Sequence, residues 1–261
     1  MSDDAVLLAV DDGVATITLN RPKAGNTINM QLTHALRDIA ERCASDSAIR
    51  CVVMTGAGKL FCGGGDISGF SEATDISSYL DELAGALHEA VLLLMRMPKP
   101  LVTLINGPAA GAGLSLAISG DIVIAARSAT FLAAYGGVGL TPDGGMSWLL
   151  PRLVGMRRAQ EMIIANRLVD AEAAEAMGLV TQVVDDADLA EAGTRLAQKL
   201  ARMATGSIAG SRLLLLSSYE GTLEEQLARE VRSISAAAMS AECREGVSAF
   251  LERRKPDFTS L

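Results

Sequence analysis

Apolar and polar positions alternate along the first strand-like runs of the chain. AVLLAV (5–10) and VATITL (14–19) flank the turn residues DDG, a pattern that predicts a hairpin. Beyond NRPKAGNTIN, Leu32, Leu36, Ile39 and Cys43 recur at helical spacing behind the capping candidates Thr27 and Asn29, which predicts an amphipathic helix to about Ser45. The short apolar run CVVMTG (51–56) then reads as a buried strand. The order repeats: glycine loop FCGGGD, helix from about Ile76 to Met97, proline break MPKP, strand LVTLIN, glycine loop GPAAGAG, short helix, strand DIVIAA. Alternating strands and helices predict an α/β core. From about Gly155 the pattern turns mostly helical, with LVTQVV (179–184) as a late strand and helices near 186–203, 207–218, 222–239 and 241–253. No linker rich in Pro, Ser or charge and no close internal repeat divides the chain.

Composition narrows the picture. The 261 residues are 49% hydrophobic but only 3% aromatic, so the core must be built from aliphatic side chains and Met. A net charge of -8 argues against a general binder of phosphate backbones, and no nucleic-acid partner is expected. Cys43, Cys51, Cys62 and Cys243 show no CxxC spacing, and with only His34 and His88 in the chain no metal cluster is expected. Reduced thiols are the default for such a pattern. The start MSDDAVLLAV lacks a basic segment, and ALHEAVLLLMRM is interrupted by His88, Glu89 and Arg96. The expectation is a soluble cytoplasmic protein without a membrane partner.

Both glycine loops follow a buried strand and precede a helix, where backbone N–H groups favour negative charge. GAGLSL lacks the third glycine of GxGxxG, and TGAGK (55–59) lacks the first glycine of a P-loop. The loops are therefore either tight strand-to-helix turns or, if their N–H groups converge, an oxyanion site worth about 3 kcal/mol per donor.

LNRPKAGN (19–26), FCGGGDI (61–67), INGPAAGAGLSLAISGDIVIA (105–125) and GLTPDGGMSWLLPRLVG (139–155) occur in the order found in the enoyl-CoA hydratase/isomerase, or crotonase, superfamily. The tail EGVSAFLERRKPDF is also similar to that family's ending. The resemblance covers nearly the whole chain. It implies a spiral of ββα units over residues 1–200 and a helical trimerisation region over 201–261, as a homotrimer or a hexamer made of two trimers. It also implies an acyl-CoA thioester substrate, with coenzyme A entering as part of the substrate and no separate cofactor. By the same resemblance, the oxyanion N–H groups belong to Gly65 and Ala112, in loops formed by Gly63, Gly64, Asp66, Ile67 and Gly111.

Hydratases of the family carry two glutamates, and this sequence places Ser115 and Tyr135 at those positions. Both are neutral near pH 7 and poor substitutes for groups that deprotonate water and supply a proton. Asp143 lies eight residues beyond Tyr135, where family members that shift a double bond or rearrange ring epoxides look to keep a carboxylate. Asp143 is thus either the N-cap of the helix near GGMSWLL or the base of an isomerase, and the two roles are compatible. A carboxylate is a weak base toward a thioester alpha proton, and Val138, Leu140 and Trp148 are expected to give it an apolar setting.

For the CoA end, Arg21, Lys23, Ala24, Lys59, Pro142 and the tail cations Arg253, Arg254 and Lys255 are candidates, although a solvated face explains each cation equally well. Asp66 reads as a loop-fixing acceptor, and His34 and His88 as structural. The reading is an acyl-CoA isomerase. A hydratase, or a non-catalytic binder of acyl-CoA or another partner, are the alternatives; a serine hydrolase fails because GLSLA is not GxSxG.

Overall fold

Asp12 and Gly13, at φ 43° and 74°, close the first hairpin between β1 (Val6–Asp11) and β2 (Val14–Leu19). Two successive positive φ values make a turn whose twist matches that of the strands it joins. The computed structural model of the protein describes residues 4–261. Asn29 caps α1 (Met30–Ser45), its side chain accepting from the Leu32 N–H, and β3 (Cys51–Gly56) follows. Next come α2 (Ile67–Glu72), α3 (Ile76–Arg96), β4 (Leu101–Ile105), β5 (Ala109–Ala110), α4 (Ala112–Ala117), β6 (Ile122–Ala126) and β7 (Thr130–Leu132). The chain continues through α5 (Met146–Val154), α6 (Met156–Ile164), β8 (Val169–Asp170), α7 (Ala171–Ala176), β9 (Gln182–Val184) and α8 (Leu189–Ala201). Helices α9 (Thr205–Ser217), α10 (Leu223–Ala238) and α11 (Ala241–Glu252) complete it.

The long sheet runs β1-β2-β3-β4-β6-β9, antiparallel at the hairpin and parallel thereafter. Strand side chains alternate between faces, so β3 sends Val52 and Met54 toward α1 and α3, and Cys51 and Val53 toward α8. Both faces are covered, which is why CVVMTG is continuously apolar. A second, smaller sheet has the order β5-β7-β8 and is extended by Cys62, which bridges Ala109 in parallel. Three successive turns, from β3 through Cys62 to α2, from β4 through β5 to α4, and from β6 through β7 to α5, lay a strand in the long sheet, a short segment in the small sheet and then a helix. This is the expected ββα repeat.

Helix α8 reaches the sheet through Gly193: a Cβ built there would stand 2.3 Å from Leu104 Cδ1. Alanine would gain helix propensity as it lost space, so valine is the cleaner test. Gly193→Val is expected to cost about 1–3 kcal/mol. In urea unfolding this should appear as a lowered midpoint at an unchanged slope.

One expected element is shorter than LVTQVV suggests. Only Gln182–Val184 pair as a strand, because Leu179 and Val180 both donate N–H bonds to the Ala174 carbonyl at the end of α7 and sink into the core. The C-terminal helices are fastened by Arg212, a buried guanidinium on α9 that lies 2.7 Å from Asp121 and donates to the Leu94, Met97 and Lys99 carbonyls. Helix α10 buries none of its residues and exposes Leu223, Leu227, Val231 and Ile234 on one stripe. Among the described residues, no helix is long and apolar enough to cross a membrane.

Candidate active site

The small sheet explains why distant loops meet. Cys62, β5 and β7 run parallel, so their C-terminal ends point the same way, and the chain leaves them toward Gly65, Ala112 and Tyr135 respectively. The first two loops touch: a Cβ on Gly64 would stand 2.9 Å from the Ala110 carbonyl oxygen and 3.5 Å from Gly111 Cα. Gly111 has φ 53° and ψ -130°, a conformation that side chains do not tolerate, and this turns the chain directly into α4. Ala112 is the first residue of that helix, so its Cβ meets no such restriction and its N–H has no acceptor within the helix. Among the described residues, neither the Gly65 nor the Ala112 amide has an acceptor.

The Gly65 loop is held from its other side. Ile28 donates to the Gly64 carbonyl at 2.7 Å and accepts from the Asp66 N–H at 2.9 Å. Asn26, fully buried, donates to the carbonyls of Ala57, Leu60 and Phe61, tying NRPKAGN to the segment before the loop. Asp66 accepts from the Ser68 hydroxyl at 2.6 Å and pairs with Arg21 at 2.9 Å. The Ser68 hydroxyl, opposed by partial burial and aided by Arg21, holds the Asp66 carboxyl below its usual range.

A carboxylate whose pKa is lowered on folding adds stability above its unfolded value of about 4, and that stability is lost as pH falls through the folded value. Asp66→Asn should therefore lower the thermal midpoint relative to the wild type at pH 7. The gap should close as both proteins are taken below pH about 4. A gap independent of pH would contradict the pairing.

Asp143 lines the same cavity as Gly65 and Ala112. Its Oδ1 accepts from the Tyr135 hydroxyl at 2.5 Å, while its backbone carbonyl accepts from the Ser115 hydroxyl at 2.9 Å and from the Met146 N–H. The cap reading is corrected here: α5 begins after Gly145, with no side-chain cap, and the Asp143 carboxylate is turned to Tyr135 instead. Burial first, and then the charge of Asp143, push the Tyr135 phenol far above its ordinary value, so it stays protonated. Tyr135 follows Ala134, a non-glycine residue at φ 65° whose N–H is held by the Asn166 side chain at 2.8 Å. His88, expected to be merely structural, accepts the Gly144 N–H on Nε2 at 3.0 Å and so fixes the peptide that follows Asp143. The sequence held no sign of this, since the partner is a backbone group far along the chain.

The loops enclose a cavity of about 280 Å³. Gly63, Gly64, Gly65, Gly111, Ala112, Tyr135 and Asp143 line it, and among the described residues Asp143 is the one carboxylate that does. Its apolar wall includes Val138 and Leu140 as expected, together with Phe70 on α2 and Leu80, Leu83 and Leu87 on α3, which sequence reasoning had not singled out. Trp148 is not part of that wall; it stacks under Arg152, whose guanidinium carbon is 4.0 Å from the ring centre. Ile67 stands exposed at the rim, and Pro142 lies between two lining residues without lining the cavity.

The expected phosphate partners divide. Arg21 is turned inward to Asp66 and the Thr27 carbonyl. Arg254 forks onto Glu245 at 2.6 and 2.9 Å, holding that carboxyl down at about 2, so its charge is engaged within the tail. Lys23, Ala24, Lys59, Arg253 and Lys255 are exposed. Cys62 is not a nucleophile: burial pushes its thiol up to about 12. Among the described residues, no group of His, Cys, Asp and Glu has the makings of a metal site.

Two unpaired amides and one acid on a single cavity wall are the groups that polarising a carbonyl and moving a proton would use. Comparison with known proteins gives the family. The family model for enoyl-CoA hydratase/isomerase matches residues 9–260. The chain is 40% identical over 259 residues to the 1,2-epoxyphenylacetyl-CoA isomerase of Escherichia coli, covering 97% of this chain and 98% of that one. It is 38% identical over 260 residues to a probable enoyl-CoA hydratase of Rhodobacter capsulatus, covering 99% of each. Among solved structures, a putative enoyl-CoA hydratase/isomerase from Mycobacterium abscessus superposes with a TM-score of 0.93 at 35% identity, covering 98% of this chain and 99% of that one.

Proposed function

The chain belongs to the enoyl-CoA hydratase/isomerase family, and on that premise we propose that it is an acyl-CoA isomerase working through a thioester enolate with Asp143 as its base. The observation that carries this reading is that Asp143 is the one carboxylate on the cavity wall among the described residues. The hydratases this chain resembles work with two glutamates, whose positions here hold Ser115 and Tyr135, and the phenol of Tyr135 stays protonated and cannot activate water. An isomerisation adds no water.

In the reaction, the thioester oxygen accepts from the Gly65 and Ala112 amides, where negative charge develops as the alpha proton leaves. Asp143 removes that proton. The enolate electrons then move outward, either across a neighbouring double bond or into a strained ring. The aromatic and aliphatic wall of Phe70, Leu80 and Leu83, and the likeness to the 1,2-epoxyphenylacetyl-CoA isomerase, favour a ring-epoxide acyl-CoA as substrate. We further read residues 201–261 as the region of a trimer contact, because the α10 stripe is otherwise left open to water.

Mass spectrometry of the acyl-CoA product tests the reading. Incubation with 1,2-epoxyphenylacetyl-CoA should convert the substrate into a species of identical mass and altered absorbance. A product heavier by one water, formed by wild type and Asp143→Asn alike, would sink it.

A further inference from the structure

Tyr135 is a neutral occupant of the cavity, but its surroundings are those of a reacting group. Its hydroxyl is bonded to the base itself, at 2.5 Å from Asp143 Oδ1, and both residues line the same cavity as the two free amides. The chain accepts an unfavourable left-handed conformation at Ala134 and fixes it with the Asn166 side chain, immediately before the tyrosine. Strain of this kind persists where the surrounding structure holds a residue to one position. Here the residue being placed is Tyr135.

We propose that Tyr135 is a second catalytic residue, whose phenol delivers the proton to the distal carbon of the dienolate while Asp143 removes the one alpha to the thioester. This rests on the isomerase reading and deepens it. A single carboxylate could do both jobs only by swinging from one carbon to the other with the same proton. The bond from Tyr135 to Oδ1 pins the carboxylate, leaving Oδ2 for the alpha proton and the phenol as a separate proton source.

The steps balance. The C2–H bond breaks as Asp143 Oδ2 gains the proton, and its electron pair moves through the enolate toward C4. The phenol O–H bond then breaks as a C–H bond forms at C4, leaving a phenolate beside a carboxylic acid. Once the carboxyl group turns, its proton passes to the phenolate, and both residues are restored. Timing favours this order: burial first, and then the negative charge of Asp143, hold the phenol's proton in place, and the second of these causes disappears when Asp143 takes the alpha proton.

The test uses 3-enoyl-CoA carrying deuterium at both C2 positions, with wild-type enzyme in excess so that only one turnover occurs in ordinary water. The relay predicts a conjugated product with hydrogen at C4 and a single deuterium left at C2. Tyr135→Phe should react about 100-fold more slowly, the scale of one proton-transfer group, and should carry deuterium from C2 to C4. Deuterium at C4 in the wild-type product, or identical labelling from the two proteins, would overturn the relay and leave the isomerase reading intact. No isomerisation by the wild type would overturn the isomerase reading and the relay together. If the variant does not fold, deuterium at C4 in the wild-type product would still overturn the relay.

Discussion

Asp143→Asn is expected to lower kcat for isomerisation by roughly a thousandfold while leaving KM and the thermal midpoint close to wild type. The substituted amide keeps an oxygen that can accept from the Tyr135 hydroxyl. The two bonds to the residue 143 carbonyl, from Ser115 and from the Met146 N–H, do not involve the side chain at all. The loop should therefore hold its shape, and what is lost is the basic oxygen. Because that oxygen takes up a proton only in the chemical step, the loss belongs in kcat. Steady-state kinetics beside a thermal melt separate the cases, and a variant within tenfold of wild type would remove Asp143 from the reaction.

Ala112→Pro should cost about 10²–10³ in kcat/KM, the loss seen when one oxyanion donor is deleted. A side chain cannot be removed to make this test, since the proposed donor is a backbone N–H. Proline deletes it. The position suits the substitution, for Ala112 is the first residue of α4, where proline's fixed φ fits a helix and the missing N–H breaks no internal bond. The expected result is a folded protein with a nearly unchanged thermal midpoint and a poorly stabilised enolate. A folded variant with full activity would mean that the second loop contributes shape only.

Much of the fold was legible because its larger elements carry long, regular patterns. The period of Leu32, Leu36, Ile39 and Cys43 marks α1, and the continuous run CVVMTG marks a strand that the structure buries on both faces. The small sheet was not legible. Its strands β5 and β8 have two residues each and β7 has three, too few for any periodicity to show, yet it is this sheet that sets Gly65, Ala112 and Tyr135 side by side.

The same limit governs the site. Glycine spacing identifies two strand-to-helix loops, but their approach to one another depends on the contact of Gly64 with Ala110 and Gly111, which no local pattern encodes. Trp148 was expected beside Asp143 from proximity in sequence, and the turn at Gly144 and Gly145, both at positive φ, carries it away. Phe70 and Leu80 are far from Asp143 in sequence and reach its cavity only through the packing of α2 and α3 against it, which no local pattern encodes. Ser115 and Tyr135, in contrast, were placed by their positions in recognisable motifs, and the structure brings both to Asp143.

The isomerase proposal rests on one carboxylate sharing a cavity with two unpaired amides. The most direct measurement is a comparison of initial rates on two substrates that differ only in the position of the double bond. With 3-enoyl-CoA, the absorbance of the conjugated thioester should rise rapidly. With 2-enoyl-CoA, the same absorbance should fall at least about a hundredfold more slowly, the order contributed by one acid–base group, here the second glutamate that the resembled hydratases carry and this chain lacks. Rapid loss of the 2-enoyl signal, with no gain from 3-enoyl-CoA, would contradict the account.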